Sequence, residues 1–185
     1  SKDLLMRYRP LSSKLYSKNR DLFMQALDRG GLAVFNSNDI YPISADSTLP
    51  FAQHRDIFYL SGIDQEESIL LLFPDAQEPK YREILFIKKT SEIIAVWEGQ
   101  KLTPKQATAL SGIQTVCWLH EFEKLFQLLA DQAEIFYFNT VQKNIAEKVI
   151  EKENKKLNGK LVTKISMIKN YCIAEEYHQK YLEKR

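Results

Sequence analysis

His54, Arg55 and Asp56 stand in a row inside "FAQHRDIFYLSGIDQEESILLLF" (residues 51 to 73), and an H-R-D triplet is the kind that supports phosphoryl transfer. The downstream Asn and the later D-F-G that such a site needs are missing, so a structural use is favoured, with Asp56 capping a backbone amide or pairing with Arg55 beneath Phe58 and Tyr59. The other two histidines, His120 and His178, are distant in sequence, and no His has a second ligand at the helical or strand spacing of a zinc site. Cys117 and Cys172 lack the close pairing of a redox or metal motif, which favours buried or incidental thiols. Gly30-Gly31 lacks the Lys-Ser/Thr of a phosphate-binding loop, no G-x-S-x-G elbow occurs, and Ser61-Gly62 reads as a turn between strands. The residue types give no self-sufficient catalytic constellation.

The elements around these residues are easier to read. A chain of 185 residues with 44% hydrophobic and 27% charged side chains can bury a core without disulfides. No apolar run approaches the ~20 residues of a membrane span, and the opening "SKDLLMRYRP" lacks the features of a signal peptide, so a cytoplasmic protein with no membrane partner is expected. The net charge of +2 arises wholly from residues 143 to 185. In "EKVIEKENKKLNGK" Glu alternates with Lys, as on a solvated helix face, and no basic groove with stacking aromatics points to nucleic acid.

Ser12 or Ser13 caps a first helix whose apolar positions are Leu15, Leu22, Phe23, Ala26 and Leu27, ending at Gly30-Gly31. "LAVF" (32 to 35) reads as a strand, and "NSNDIYPISADSTLP" as a long ordered loop, since Pro42 and Pro50 oppose regular pairing. "SILLLF" (68 to 73) reads as a central strand, "EILFI" (83 to 87) as its hairpin or meander partner, and "EIIAVW" (92 to 97) as a further strand. Thr103, Pro104 and Gln106 spell a capped helix start, with a stop at Gly112. Strand "TVCWL", a helix from about His120, strand "IFYFN" and a charged helix from about Asn144 follow, then a turn at Asn158-Gly159 and a helix over the last residues. This order predicts an α/β fold with a mixed sheet of about six strands flanked by helices and no internal repeat.

Taken together, "GLAVF", "SADSTLPFAQHRDIFYLSGIDQEESILLLF", "EILFI" and "VWEGQKLT" resemble the amino-terminal domain of Xaa-Pro aminopeptidases (aminopeptidase P), a domain shared in looser form with prolidase and creatinase. The likeness covers about residues 4 to 140. It implies domains at 1–160 (amino-terminal domain) and 161–185 (linker or start of a catalytic domain). It also implies a parent enzyme that removes an N-terminal residue preceding proline. Two divalent metals, usually manganese, are bound in such an enzyme by a carboxy-terminal domain. This segment would then be non-catalytic and hold no metal. It would have its own catalytic domain, a homo-oligomer and a peptide with proline in second position as partners. Asp46 in "SADS" and Trp97 in "VWEG" match family positions near the substrate entrance, and Trp97 would reach toward the site of an adjacent subunit. Many relatives have Arg where this chain has Ala52, so the contact made by that guanidinium is either missing here or supplied by another residue such as Arg55. A prolidase-type front domain and a stand-alone interaction module of the same fold are the alternatives.

Overall fold

The computed structural model describes residues 11–44, 47–89 and 100–139, together with the backbone of one strand at 164–167. Its helices are α1 (Ser13–Ala26), α2 (Arg55–Ser61), α3 (Pro104–Ser111) and α4 (Phe122–Ala130). The strands are β1 (Gly31–Asn36), β2 (Pro42–Ser44), β3 (Ser47–Thr48), β4 (Ile69–Leu72), β5 (Glu83–Ile87), β6 (Thr115–Trp118), β7 (Ile135–Phe138) and β8 (Lys164–Met167). Six of them form one mixed sheet in the order β6-β5-β4-β1-β7-β8. β4 runs antiparallel to both β1 and β5, whereas the β5–β6, β1–β7 and β7–β8 pairs are parallel.

The mixed sheet of about six strands is therefore as expected, with a different membership. "EIIAVW" lies outside the described residues, as do the helix from Asn144, the turn at Asn158-Gly159 and the terminal helix. The sixth strand is β8, in a stretch where the sequence pattern gives no strand.

Apolar runs on the central strands are explained by burial on both faces. Ala33, Phe35, Leu70, Leu72, Leu85 and Ile87 face one core cluster, which includes Phe23 of α1, Ile57 and Leu60 of α2 and Ala107 of α3. Leu32, Val34, Leu71, Ile84, Phe86, Phe136 and Phe138 face the other, under α4. There an aromatic ladder runs from Phe86 to Phe122 at 5.2 Å between centroids, to Phe126 at 5.4 Å and to Phe136 at 5.7 Å. Burying this ladder requires the amphipathic stripe of α4, in which Phe122, Leu125, Phe126 and Leu129 share one face by their spacing.

Three expectations need correction. The long loop after β1 contains a small hairpin, β2–β3, in which Pro42 pairs opposite Thr48. Proline removes a donor but not an acceptor, and a two-stranded ribbon has two free edges to hide it. Residues 55 to 61, read as leading by a turn into a strand, form a helix: His54 caps it, its Nδ1 accepting the Asp56 N–H at 3.3 Å, and Gly62 ends it at φ 69°. So Ser61-Gly62 is a helix terminus rather than a turn between strands. Finally, α1 buries Tyr16, Asn19, Arg20 and Phe23, while Leu15 and Leu22 are exposed.

That last exchange is possible because both polar side chains find buried partners. Asn19 Nδ2 donates to the Tyr59 carbonyl at 2.9 Å. Arg20, with no exposed surface, donates from Nη1 to the carbonyls of Leu60 (2.8 Å) and Ser111 (3.0 Å), and its Nε lies 3.1 Å from Glu83 Oε1. Leu60 and Ser111 lie in two copies of the same tetrapeptide, Leu-Ser-Gly-Ile at 60–63 and 110–113. In each copy the Ser hydroxyl donates four residues back and accepts the Ile N–H, and the Gly turns left-handed. One guanidinium thus sits at the carboxyl ends of two helices, where their dipoles favour a cation.

At the sheet's far side Tyr137 donates its hydroxyl to Asp28. Burial, then the bond to Asp28, pushes the Tyr137 phenol from its ordinary 10.0 up to about 12. A folded state that holds a proton more tightly than the unfolded chain keeps this contribution whole below pH 10 and loses it as pH rises toward 12. Urea midpoints measured across that interval should fall more steeply for the natural chain than for Tyr137→Phe.

Candidate functional site

The directions of the strands bring the informative loops together. β1, β5, β6 and β7 all end, and β4 begins, at the same end of the sheet, because β4 alone among these runs the other way. In sheets of this kind a ligand crevice forms outside the carboxyl ends of parallel strands. The segment containing Asp46 leaves from β1 and the segment containing Trp97 leaves from β5, so both depart from this end. Asp46 and Trp97 themselves lie outside the described residues.

The acidic loop "DQEES" anchors the Trp97 segment where it leaves and where it returns. Glu67 pairs with Lys88, just after β5, at 2.5 Å. Glu66 pairs with Lys101, both side chains nearly buried, and Gln65 Oε1 accepts the Leu102 N–H at 2.7 Å. Glu67 sits at φ 51°, a left-handed conformation rare for a side chain other than Gly, Asn or Asp. Gln53 holds the loop from beneath, its Nε2 donating to the carbonyls of Ile63 (3.0 Å) and Gln65 (2.9 Å). None of this clamp is legible from spacing, because Glu67, Glu66 and Gln65 reach partners 21, 35 and 37 residues away and "QEES" reads as a solvated turn.

A polar cavity of about 220 Å³ opens at the same end, between Asn36, Ser37, His54, Glu67, Ser68 and Asn139. Its hydroxyls are directed at the backbone: Ser68 Oγ donates to the Gln65 carbonyl at 2.7 Å, and Ser37 Oγ accepts the Ser68 N–H at 3.2 Å. Asn139 extends the β1–β7 ladder by one rung, accepting the Asn36 N–H and donating to the Asn36 carbonyl. His54 is committed to its cap. Such a cavity can hydrogen-bond a passing peptide but has no activated nucleophile among the described residues. Arg55, one of the two alternatives for the contact of an Arg at position 52, lies at the start of α2 beside an apolar groove shared with Leu11, Leu15 and Tyr59.

Among the described residues no three His, Cys, Asp or Glu side chains converge as a metal centre requires, so they do not fit a two-metal site. Cys117 is half-buried, and burial, then Glu121, raises its thiol pKa, which keeps it inert.

Residues 16–137 match the family described as "Aminopeptidase P, N-terminal domain". The chain belongs to this family. Human Xaa-Pro aminopeptidase 3 is 27% identical over 113 residues, which is 60% of this chain and 22% of that protein. Proline aminopeptidase P II from Yersinia pestis superposes with a TM-score of 0.70 at 21% identity, over 85% of this chain and 37% of its own. Aminopeptidase PepP of Pseudomonas aeruginosa gives 0.72 at 13% identity, over 86% and 37%. A second family, "Peptide methionine sulfoxide reductase", matches residues 130–185. The reductase MsrA of Pelagibacter ubique is 65% identical over 54 residues, 29% of this chain and 37% of that protein. This chain therefore spans well under half the length of each of these relatives. No helix among the described residues is long and apolar enough to cross a membrane.

Proposed function

We propose that residues 1 to 160 serve as the non-catalytic front domain of a metal-dependent Xaa-Pro aminopeptidase, an enzyme that releases the residue preceding a proline. In this reading the domain shapes the substrate entrance and contributes to a cytoplasmic homo-oligomer, and two divalent metals, manganese in this reading, are held by a separate catalytic domain. The observation that supports the proposal is that β1 and β5, which precede the segments bearing Asp46 and Trp97, end at the same end of the sheet, where Glu67 and Glu66 pair with Lys88 and Lys101 on either side of the second segment. From there Trp97 would pack on the substrate's proline ring. Asp46 would attract the peptide's free amino terminus.

In this reading the amino-terminal domain takes in residues 1–160, of which 16–137 match the aminopeptidase family, and 161–185 would be a linker or the start of a catalytic domain. A second reading, a stand-alone interaction module, is favoured by one observation: the residues where a linker to the catalytic domain would begin match a different family. A prolidase-type parent would share every feature of this domain.

The test measures release of the first residue from an Xaa-Pro-Xaa peptide with added manganese, using the 185-residue chain beside the longest natural protein that contains it. Turnover is expected only where a catalytic domain is joined to this one, and Trp97→Ala in that protein should then lower kcat/KM. Turnover by the 185 residues alone would overturn the proposal. Inactivity of every natural protein containing the chain would favour the interaction module.

A further inference from the structure

β7 has neighbours that answer to two different families. Its inner edge pairs with β1, from Gly31↔Ile135 to Val34↔Phe138, almost wholly within the aminopeptidase match at 16–137. Its outer edge pairs in parallel with β8, from Ile135↔Lys164 to Phe138↔Met167, and both of these strands lie within the reductase match at 130–185. β7 thus lies where the two matches overlap, with a strand from the aminopeptidase match on its inner edge and a strand from the reductase match on its outer edge.

We infer that the outer edge of β7 is a strand-accepting surface, taken in this chain by Lys164–Met167 of the reductase-like tail, and that this seam rather than a linker joins the tail to the domain. The chemistry required of the occupant is modest. Hydrogen bonds of a parallel ladder involve backbone groups alone, so an edge accepts any extended segment whose alternation fits the core beneath it. The tail meets that requirement: the apolar positions 165 and 167 stand in register with Phe136 and Phe138, the strand residues that face α4, while polar positions 164 and 166 stand beside Ile135 and Tyr137. An unfilled edge of this composition would be an aggregation hazard, since Ile135 to Phe138 is a run of four large apolar residues free of charge and proline. The partner that fits it is thus a short extended segment with alternate apolar residues, supplied here by the chain itself. This inference stands whether or not the domain serves a peptidase.

The experiment is hydrogen exchange on the 185-residue chain and on Ile165→Pro, which removes one backbone donor and the extended pairing of β8 without touching residues 11 to 139. In the natural chain the β7 amides should be protected. In the variant, β7 protection should fall by at least ~10-fold while that of β1, β4 and β5 persists, and an added synthetic peptide of residues 160–170 should restore it. Equal β7 exchange in both chains would overturn the pairing. Collapse of protection across the whole sheet would overturn the seam by making β8 an integral part of the domain, and failure of the peptide to restore protection would overturn the accepting edge.

Discussion

Replacing Arg20 by alanine is expected to lower the free energy of unfolding by about 3–5 kcal/mol, the range for removing one partner of a buried ion pair. Three deficits combine. The Glu83 carboxylate, whose side chain is about three-quarters buried, loses its cation. The carbonyls of Leu60 and Ser111 lose a donor at the carboxyl ends of α2 and α3, where other partners are scarce. The void left by the largest fully buried side chain in the domain lies between three helices that cannot all collapse into it. Glu83→Gln should cost less, because Arg20 keeps both carbonyls and a neutral acceptor. Arg20→Met should fall between them by filling volume without restoring the hydrogen bonds. Urea unfolding of the three variants decides the matter, and a loss below ~1 kcal/mol for Arg20→Ala would mean that water replaces the guanidinium at little cost.

Arg20 also marks where reading the sequence fails. The helix, its cap and its stop near Gly30 follow from local signals, whereas the buried face does not. An arginine on a helix is normally placed in water. What brings it inside is a pair of carbonyls 40 and 91 residues away, which no periodicity encodes. Aliphatic count therefore selected Leu15 and Leu22, which are exposed. By contrast, α3 was legible to the residue, because its capping box and its Gly112 stop lie within the helix's own sequence. The misreading of α2 has the same origin as that of α1: an N-cap is ordinarily Ser, Thr, Asp or Asn, and here a His ring nitrogen takes that place. The repeated Leu-Ser-Gly-Ile offered the missing clue, since one copy ends a helix recognisable from its cap. For the candidate site, the sequence points to Asp46 and Trp97 by resemblance, and strand direction explains why their segments share an end of the sheet. The Glu66 and Glu67 clamp depends on tertiary pairing alone. So does β8, whose four alternating residues are too short a run to mark a strand without the β7 edge they pair with.

Those two copies of Leu-Ser-Gly-Ile make the second large prediction a controlled one. Gly62 and Gly112 hold nearly the same left-handed conformation, φ 69° and 79°, at the ends of α2 and α3. Alanine at either position pays the steric cost of that conformation, about 1–2 kcal/mol. The surroundings differ. A Cβ at Gly112 would find its nearest neighbours, Ser13 Cβ and Ser13 O, at 3.6 Å, an ordinary contact. A Cβ at Gly62 would stand 2.3 and 2.4 Å from ring carbons of Tyr16, an impossible approach that forces α1 and α2 apart. Tyr16 cannot swing aside freely, because it is buried and meets Phe58 edge-on at 6.5 Å between centroids. Overpacking of this type costs a further ~1–3 kcal/mol, so Gly62→Ala should destabilise by about 2–4 kcal/mol in all, against about 1–2 for Gly112→Ala. Tyr16→Leu should relieve the excess, making the Tyr16→Leu and Gly62→Ala changes strongly non-additive while leaving Gly112→Ala additive with Tyr16→Leu. Equal losses for the two alanines would mean that the close approach of α1 to the end of α2 is not a constraint on the fold, and that backbone conformation alone reserves both positions for glycine.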